Sequence, residues 1–129
     1  MSVGRVGLLG AIALAAACGA APKPCPVAPD PIERDPVAAA DRRFEQGKRL
    51  YLLLEYDAAV VEFKEAFKRD PLPLYLFNIG QAYRKKEDCR LATAFFKNYL
   101  AEAPDAENRA KVAGWLEEMA ACAVAPAAR

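Results

Sequence analysis

Hydrophobic and polar positions divide the 129-residue chain into three stretches of different character. Residues 6–17 are all apolar or glycine and follow a short start with one positive charge. Residues 18–35 hold prolines at short intervals, a pattern typical of a semi-rigid tether. From residue 36 onward, apolar side chains recur at helical spacing between aspartates and prolines that mark helix ends. The pattern predicts a helical domain over 36–123 and a short disordered tail over 124–129.

The helical stretch repeats itself at a spacing of 33 residues. Four pairs of identical residues share this spacing: Gly47 and Gly80, Ala59 and Ala92, Phe63 and Phe96, and Pro71 and Pro104. A glycine inside a helix costs about 1 kcal/mol of helix propensity, so each glycine indicates the close approach of a neighbouring helix. In each copy the alanine and the aromatic ring follow on a second helix, which the proline ends. Two helix hairpins are therefore predicted, over 40–72 and 73–106.

Aspartates at N-cap positions and prolines at first positions set the predicted helix limits. The first helix runs from Asp35-Pro36 to about Glu55, and the second from a cap at Asp57 to before Asp70-Pro71. The third begins at Pro73, and the fourth runs from a cap at Asp88 to before Pro104. The fifth has its cap at Asp105 and covers about 106–123. The last helix carries an apolar stripe formed by Val112, Trp115, Leu116, Met119 and Cys122. We expect this helix to close the open end of the stack, with Trp115 as a core anchor.

Two of the four cysteines lie where neighbouring helices are expected to meet. Cys89 begins the fourth helix, and Cys122 is near the end of the fifth. If these helices are antiparallel around a turn near residue 104, their far ends come together, and an oxidising compartment favours a disulfide. The bond would close a loop of about 34 residues and stabilise the fold by on the order of 3–4 kcal/mol in the chain-entropy model. The alternative is a pair of buried, unpaired thiols.

The repeated residues resemble the tetratricopeptide repeat (TPR), which has small, aromatic and proline residues at these positions; Ala66 fits a further small position in the first copy. In the second copy, the run Phe77-Asn78-Ile79-Gly80-Gln81-Ala82-Tyr83 follows the family's aromatic-Asn-Leu-Gly-x-Ala-Tyr run. The first copy departs from the family at Arg43 and Gln46, where tryptophan and leucine are usual. The resemblance implies an all-α fold of two TPR-like helix hairpins plus a C-terminal capping helix, in a short α-α superhelix.

The resemblance also implies a binding surface, because the first helix of each TPR hairpin lines a concave face. The residues carried over to that face are Phe44, Lys48, Tyr51 and Leu52 from the first copy, and Leu74, Phe77, Asn78, Gln81, Arg84 and Lys85 from the second. Such a strip suits an extended peptide or a helix with acidic groups. The alternative for the basic run Arg84-Lys85-Lys86 is that it only complements the dipole of its helix C-terminus.

The N-terminus is similar to a bacterial lipoprotein signal peptide, over residues 1–17. Its end, Leu14-Ala15-Ala16-Ala17-Cys18-Gly19, resembles the lipobox, although leucine stands one position early. The resemblance implies lipidation of Cys18 and a membrane anchor at the periplasmic face of the outer membrane, with residues 18–35 as the tether. Two alternatives remain open: cleavage after Ala17, which releases a soluble periplasmic protein, and a retained anchor. Cys25, inside the tether, has no assigned role.

Composition argues against several classes of function. Eighteen basic and 17 acidic residues give a net charge of +1, which provides no basic excess for nucleic acid. The chain has no histidine, no Gly-rich phosphate loop, and no cysteine pair with metal-ligand spacing. We therefore expect no enzyme, cofactor or metal site, but a scaffold that binds a protein partner in the cell envelope. The alternative is a ligand-processing or enzyme-accessory subunit of an envelope complex.

Overall fold

A computed structural model describes residues 30–124, apart from the side chains of Glu33, Ala123 and Val124. Over this range the chain is all-α, as predicted, and contains no strand. Its helices are α1 (Pro31–Arg34), α2 (Pro36–Leu52), α3 (Tyr56–Arg69), α4 (Pro73–Lys85), α5 (Cys89–Glu102) and α6 (Arg109–Val124). The predicted signal peptide, Cys18, Cys25 and the tail 125–129 lie outside the described residues.

Each helix from α2 onward packs against the next one along the chain, as in a short α-α superhelix. The side chains of alternate helices also meet. The ring centres of Phe44 on α2 and Tyr75 on α4 are 5.2 Å apart, and those of Phe77 on α4 and Trp115 on α6 are 6.2 Å apart. These three helices therefore share one surface, here called the α2–α4–α6 face. On the other side, the Lys64 ammonium of α3 lies 5.5 Å from the ring centre of Phe95 on α5.

The two hairpins repeat each other in their backbone hydrogen bonds. The turn after α2 is closed by the amides of Leu53, Leu54 and Glu55, and the turn after α4 by those of Lys86, Glu87 and Asp88. Each bond in the second turn has donor and acceptor 33 residues after those of its counterpart. Leu54 and Glu87 both adopt the left-handed conformation, with φ of 64° and 60°. The spacing seen in the sequence thus corresponds to a repeated backbone path.

The paired glycines mark the closest approach of helices within each hairpin. A Cβ placed on Gly47 would lie 2.5 Å from Cε1 of Phe63, and one on Gly80 would lie 2.8 Å from Cδ1 of Phe96. Both aromatic rings are buried, so they have little room to move away. The close approach of a neighbouring helix, expected at these two glycines, is therefore confirmed.

Some predicted helix ends are confirmed. The Asp35 carboxylate accepts from the Val37 amide at 3.0 Å, and the Asp88 carboxylate accepts from the Leu91 amide at 3.0 Å. Helix α4 begins at Pro73 as expected. The described end of the predicted tether differs from expectation, because α1 forms a single turn there, capped by Asp30.

Three predicted helix limits are wrong. Helix α2 ends at Leu52, three residues before Glu55, since Leu54 turns the chain into the left-handed region. Asp57 is not a cap: it lies within the first turn of α3 and forms an ion pair with Lys86, which directly follows α4. Helix α6 begins at Arg109 rather than just after Asp105, because a non-helical turn continues through residue 108.

Helix α6 closes the last hairpin in the predicted manner. Val112 and Met119 are buried against it, and Trp115 is half-buried, with its ring centre 5.5 Å from that of Phe96. Cys89 and Cys122 form a disulfide, with their Cα atoms 5.8 Å apart. The antiparallel pairing of α5 and α6 therefore brings together the two cysteines that were expected to meet.

Candidate functional site

A cleft of about 170 Å³ opens on the α2–α4–α6 face between α2 and α4. It is lined by Lys48, Tyr51, Leu52, Phe63 and Asn78. Helical spacing places the three α2 residues on one side of that helix, and the buried Phe63 ring of α3 contributes to the lining. Four of the residues expected on the binding face therefore surround one mainly apolar cleft.

Tyr51 connects this cleft to the C-terminal end of α4. Its ring packs edge-on against Tyr56, with the ring centres 5.2 Å apart. Burial raises the pKa of the Tyr51 hydroxyl, the neighbouring Tyr56 raises it further, and the positive charge of Arg84 partly offsets both effects. Arg84 belongs to the last turn of α4.

Two polar residues border the cleft. The Lys48 ammonium pairs with Glu45 at 2.6 Å and lies 5.0 Å from the centre of the Phe44 ring. The Asn78 side-chain amide donates to the Leu74 carbonyl at 2.8 Å, which leaves the Asn78 carbonyl oxygen to accept from a ligand N–H. The cleft thus has an apolar lining with a cation and a hydrogen-bond acceptor at its rim.

Two aromatic residues expected on the binding face belong largely to the core. Phe44 packs against Phe63 and Tyr75, at ring-centre distances of 5.7 and 5.2 Å. Phe77 packs against Phe96, Tyr99 and Trp115. Both rings remain half-buried, so they support the face rather than form an open aromatic strip.

At the basic end of the predicted strip, one of the two cations already contacts neighbouring side chains. The Arg84 guanidinium lies 4.5 Å from the centre of the Trp115 ring, and its Nη2 is 3.9 Å from a Glu118 carboxylate oxygen. Gln81 is half-buried, whereas Leu74 and Lys85 are exposed. Of the two cations predicted to meet acidic groups, Lys85 is the more accessible.

Sequence reasoning placed Leu52 on the binding face but missed the exposed apolar turn that Leu52 begins. Leu52, Leu53 and Leu54, here called the leucine turn, are 78%, 67% and 70% exposed. Exposed apolar side chains that cluster in this way commonly mark contact surfaces. The signal was visible as three consecutive leucines at a predicted helix end, where turn residues are usually polar.

A second cleft, of about 370 Å³, lies on the side of α2 opposite the first. Its lining consists of Arg42, Arg43, Gln46 and Arg49 from α2, together with Glu62 from α3. This surface is here called the arginine edge. Arg43 and Gln46 are the two residues at which the first copy departs from the TPR pattern.

Two other kinds of feature are absent from the described residues. Within residues 30–124, no group of three or more Cys, Asp or Glu side chains is arranged to hold a metal ion. No described helix is long and apolar enough to cross a membrane. No protein-family model matches the chain, and neither a curated protein nor a solved structure matches it. The geometry of the two clefts therefore carries the functional interpretation.

Proposed function

We propose that the chain is a non-enzymatic, TPR-like scaffold of the bacterial cell envelope that binds a peptide or helix of a protein partner on its α2–α4–α6 face. The observation that carries this proposal is the apolar cleft between α2 and α4. At about 170 Å³ it is smaller than the roughly 300–1,000 Å³ typical of small-molecule pockets. A cleft of this size suits one anchoring side chain of a larger ligand.

The surroundings of the cleft support a partner with an apolar anchor and an extended contact. Leu52, the first residue of the leucine turn, is 78% exposed and adds apolar surface beside Tyr51. Lys48 and Lys85 add positive charge, and Asn78 can accept a hydrogen bond from a backbone amide. Partners that place apolar side chains at helical or alternating spacing combine these features.

The envelope location and the lipid anchor rest on the sequence of residues 1–35. The apolar segment 6–17, the lipobox-like run ending at Cys18 and the following prolines support them. Metabolic labelling with radioactive palmitate tests the anchor, with incorporation expected in the wild type and absent in Cys18→Ala. An unlabelled, released wild-type protein would favour ordinary signal cleavage.

Site-specific photocrosslinking in the native cells tests the binding face. A photoreactive amino acid at position 48, on the cleft rim, is expected to yield a discrete adduct with one protein. The same group at position 97, an exposed lysine of α5, serves as the matched control. Adding Leu52→Glu should abolish the position-48 adduct, because a carboxylate beside the cleft disfavours an apolar anchor.

Val61→Glu provides the control for Leu52→Glu, because Val61 is also an exposed apolar residue but lies on α3 away from the cleft. It should leave the adduct unchanged. The proposal fails if positions 48 and 97 give the same adducts, or if Leu52→Glu has no effect.

A further inference from the structure

The arginine edge occupies the position at which a preceding hairpin would pack. Helix α4 packs against α3, and four of its core residues are buried: Tyr75, Leu76, Ile79 and Ala82. Tyr75 shares a core cluster with Ala66 of α3. Thirty-three positions earlier, in the same order, α2 has Arg42, Arg43, Gln46 and Arg49. Because the hairpins repeat the same backbone path, α2 presents a surface shaped to receive a helix as α4 receives α3.

The segment that immediately precedes α2 does not supply such a helix. The segment that would correspond to α3, residues 23–36, contains prolines at positions 24, 26, 29, 31 and 36. Proline inside a helix removes a hydrogen bond and clashes with the preceding turn, so no continuous helix is expected there. The described part of this segment forms only the single turn α1. Residues 23–36 therefore do not provide a helix that could occupy the full surface.

The side chains of the arginine edge select the chemistry of that occupant. Arg49 donates through Nε and Nη2 to the Gln46 side-chain oxygen, at 3.2 and 2.7 Å. Arg43 donates to Glu62 at 3.2 Å, while its buried Nε has no hydrogen-bond partner among the described residues. The guanidinium groups of Arg42, Arg43 and Arg49 line this cleft together with the Glu62 carboxylate. Guanidinium groups held in place in this way match carboxylates in geometry and charge.

A surface that merely ends a helical stack needs only to be polar. The arginine edge goes further, because its α2 residues carry charge of one sign and use arginine, which is enriched at protein interfaces. At its far end stands Leu53, four residues after Arg49 and 67% exposed. Leu53 corresponds to Lys86, which in the second hairpin pairs with Asp57 of the preceding helix α3.

We propose that the arginine edge is a docking site for an acidic helix of a partner protein, which extends the stack by one helix. The helix presents carboxylates at helical spacing to Arg42, Arg43 and Arg49, and an apolar side chain to Leu53. This site is separate from the cleft on the α2–α4–α6 face, so failure of one binding proposal would not contradict the other.

Titration of the ¹⁵N-labelled full-length protein with two synthetic helical peptides tests the proposal. One peptide carries four glutamates along one face, at spacings of four, three and four residues, with leucine at one end; the other carries glutamine at those four positions. The glutamate peptide is expected to shift the α2 amide resonances around Arg42–Arg49, and to bind more weakly as salt is raised. The glutamine peptide should bind at least about tenfold more weakly.

Arg42→Gln/Arg49→Gln should weaken binding of the glutamate peptide by about tenfold, as expected for the loss of two exposed charge pairs. Arg90→Gln/Lys97→Gln, which removes two exposed charges from α5, should leave the affinity within about twofold. Circular dichroism verifies that both variants fold. No binding of the glutamate peptide, equal binding of the glutamine peptide, or shifts confined to the α2–α4 cleft would overturn the proposal. Free glutarate reproducing the α2 shifts would reduce the surface to a small-anion site and would equally overturn it.

Discussion

The first hairpin exposes three leucines at its turn, whereas the second hairpin forms the same turn from Lys85, Lys86 and Glu87. The hydrogen bonds of the two turns match, and each turn has a residue with left-handed φ at its third position. In the second turn, Lys86 pairs with Asp57 of the preceding hairpin. Leu53, at the matching place, has no preceding hairpin within the described residues. The difference therefore reflects the neighbours of each turn rather than its backbone.

The same contrast extends along the helices. Positions that face inward within a hairpin are conserved between the copies, as in the Gly47–Phe63 and Gly80–Phe96 contacts. Positions that face the preceding hairpin change from Ile79 in the second copy to Gln46 in the first. The two copies thus differ most at positions where only the second copy has a preceding hairpin among the described residues.

The largest expected difference between the hairpins comes from the disulfide, which restrains only α5 and α6. Cys89→Ala/Cys122→Ala should lower the free energy of unfolding by on the order of 3–4 kcal/mol, because the unfolded chain gains freedom over a loop of about 34 residues. Chemical denaturation measures the loss. Reduction of the wild type should produce a similar loss, and unchanged stability in both samples would contradict a stabilising bond.

Gly47→Ala and Gly80→Ala test whether close approach is needed equally in both hairpins. Each should destabilise the protein by about 1–3 kcal/mol, since the added methyl group overlaps a buried phenylalanine ring and outweighs the gain in helix propensity. The shorter distance at Gly47 predicts the larger loss there. Chemical denaturation compares the two.

Gly114→Ala is the matched control for these glycines, because no atom lies within 4 Å of its added Cβ. It should stabilise the protein by about 1 kcal/mol through helix propensity alone. A loss at Gly114 equal to those at Gly47 and Gly80 would show that the substitutions act for a reason other than helix contact.

Leu54→Gly and Glu87→Gly test the equivalence of the two turns. Each should stabilise by roughly 0.5–1 kcal/mol, since glycine adopts positive φ without steric cost but adds freedom to the unfolded chain. Thermal unfolding measures the gain. Similar gains at both positions would support a shared backbone requirement, whereas a gain at only one would argue against it.

The smallest expected difference is a response to acid confined to the first hairpin. Lys68 and Arg69 hold the pKa of Glu65 below its ordinary value of 4.5. A lowered folded-state pKa adds stability above the ordinary value, and this contribution is lost as the pH falls through the folded-state pKa. The second hairpin has Asn98 at the matching position. Glu65→Asn should therefore flatten the acid limb of the stability curve slightly, and an unchanged limb would contradict the assignment.

Much of the fold follows from the sequence, because its strongest signals are local or repeated. Paired glycines and phenylalanines at a spacing of 33 predicted the hairpins, and the antiparallel order of the last two helices predicted that Cys89 and Cys122 would meet. These inferences require only helix geometry and chain connectivity. The predicted helix limits that were wrong, at Glu55, Asp57 and Asp105, depend on backbone turns that composition does not specify.

The candidate site was less predictable, because spacing along a helix does not determine how far a side chain reaches inward. Phe44 and Phe77 lie at positions expected on the binding face, yet their rings pack on the core. The large and small partners are also exchanged between equivalent pairs: Tyr75 packs with the small Ala66, whereas 33 residues later the large Tyr99 donates to Asn108 at 2.6 Å. Such exchanges depend on pairs of residues on two successive helices, so one copy alone does not reveal them.

The bond between Cys89 and Cys122 also determines how the protein responds to mechanical tension between its ends. Residues between the two cysteines cannot extend while the bond is intact, since force passes directly through the sulfurs. At about 3.3–3.6 Å per extended residue, the segment between Cys89 and Cys122 has a contour length on the order of 100 Å, which the bond prevents from extending. Under oxidising conditions the chain upstream of Cys89 therefore takes up nearly all the stretching, whereas reduction releases the rest.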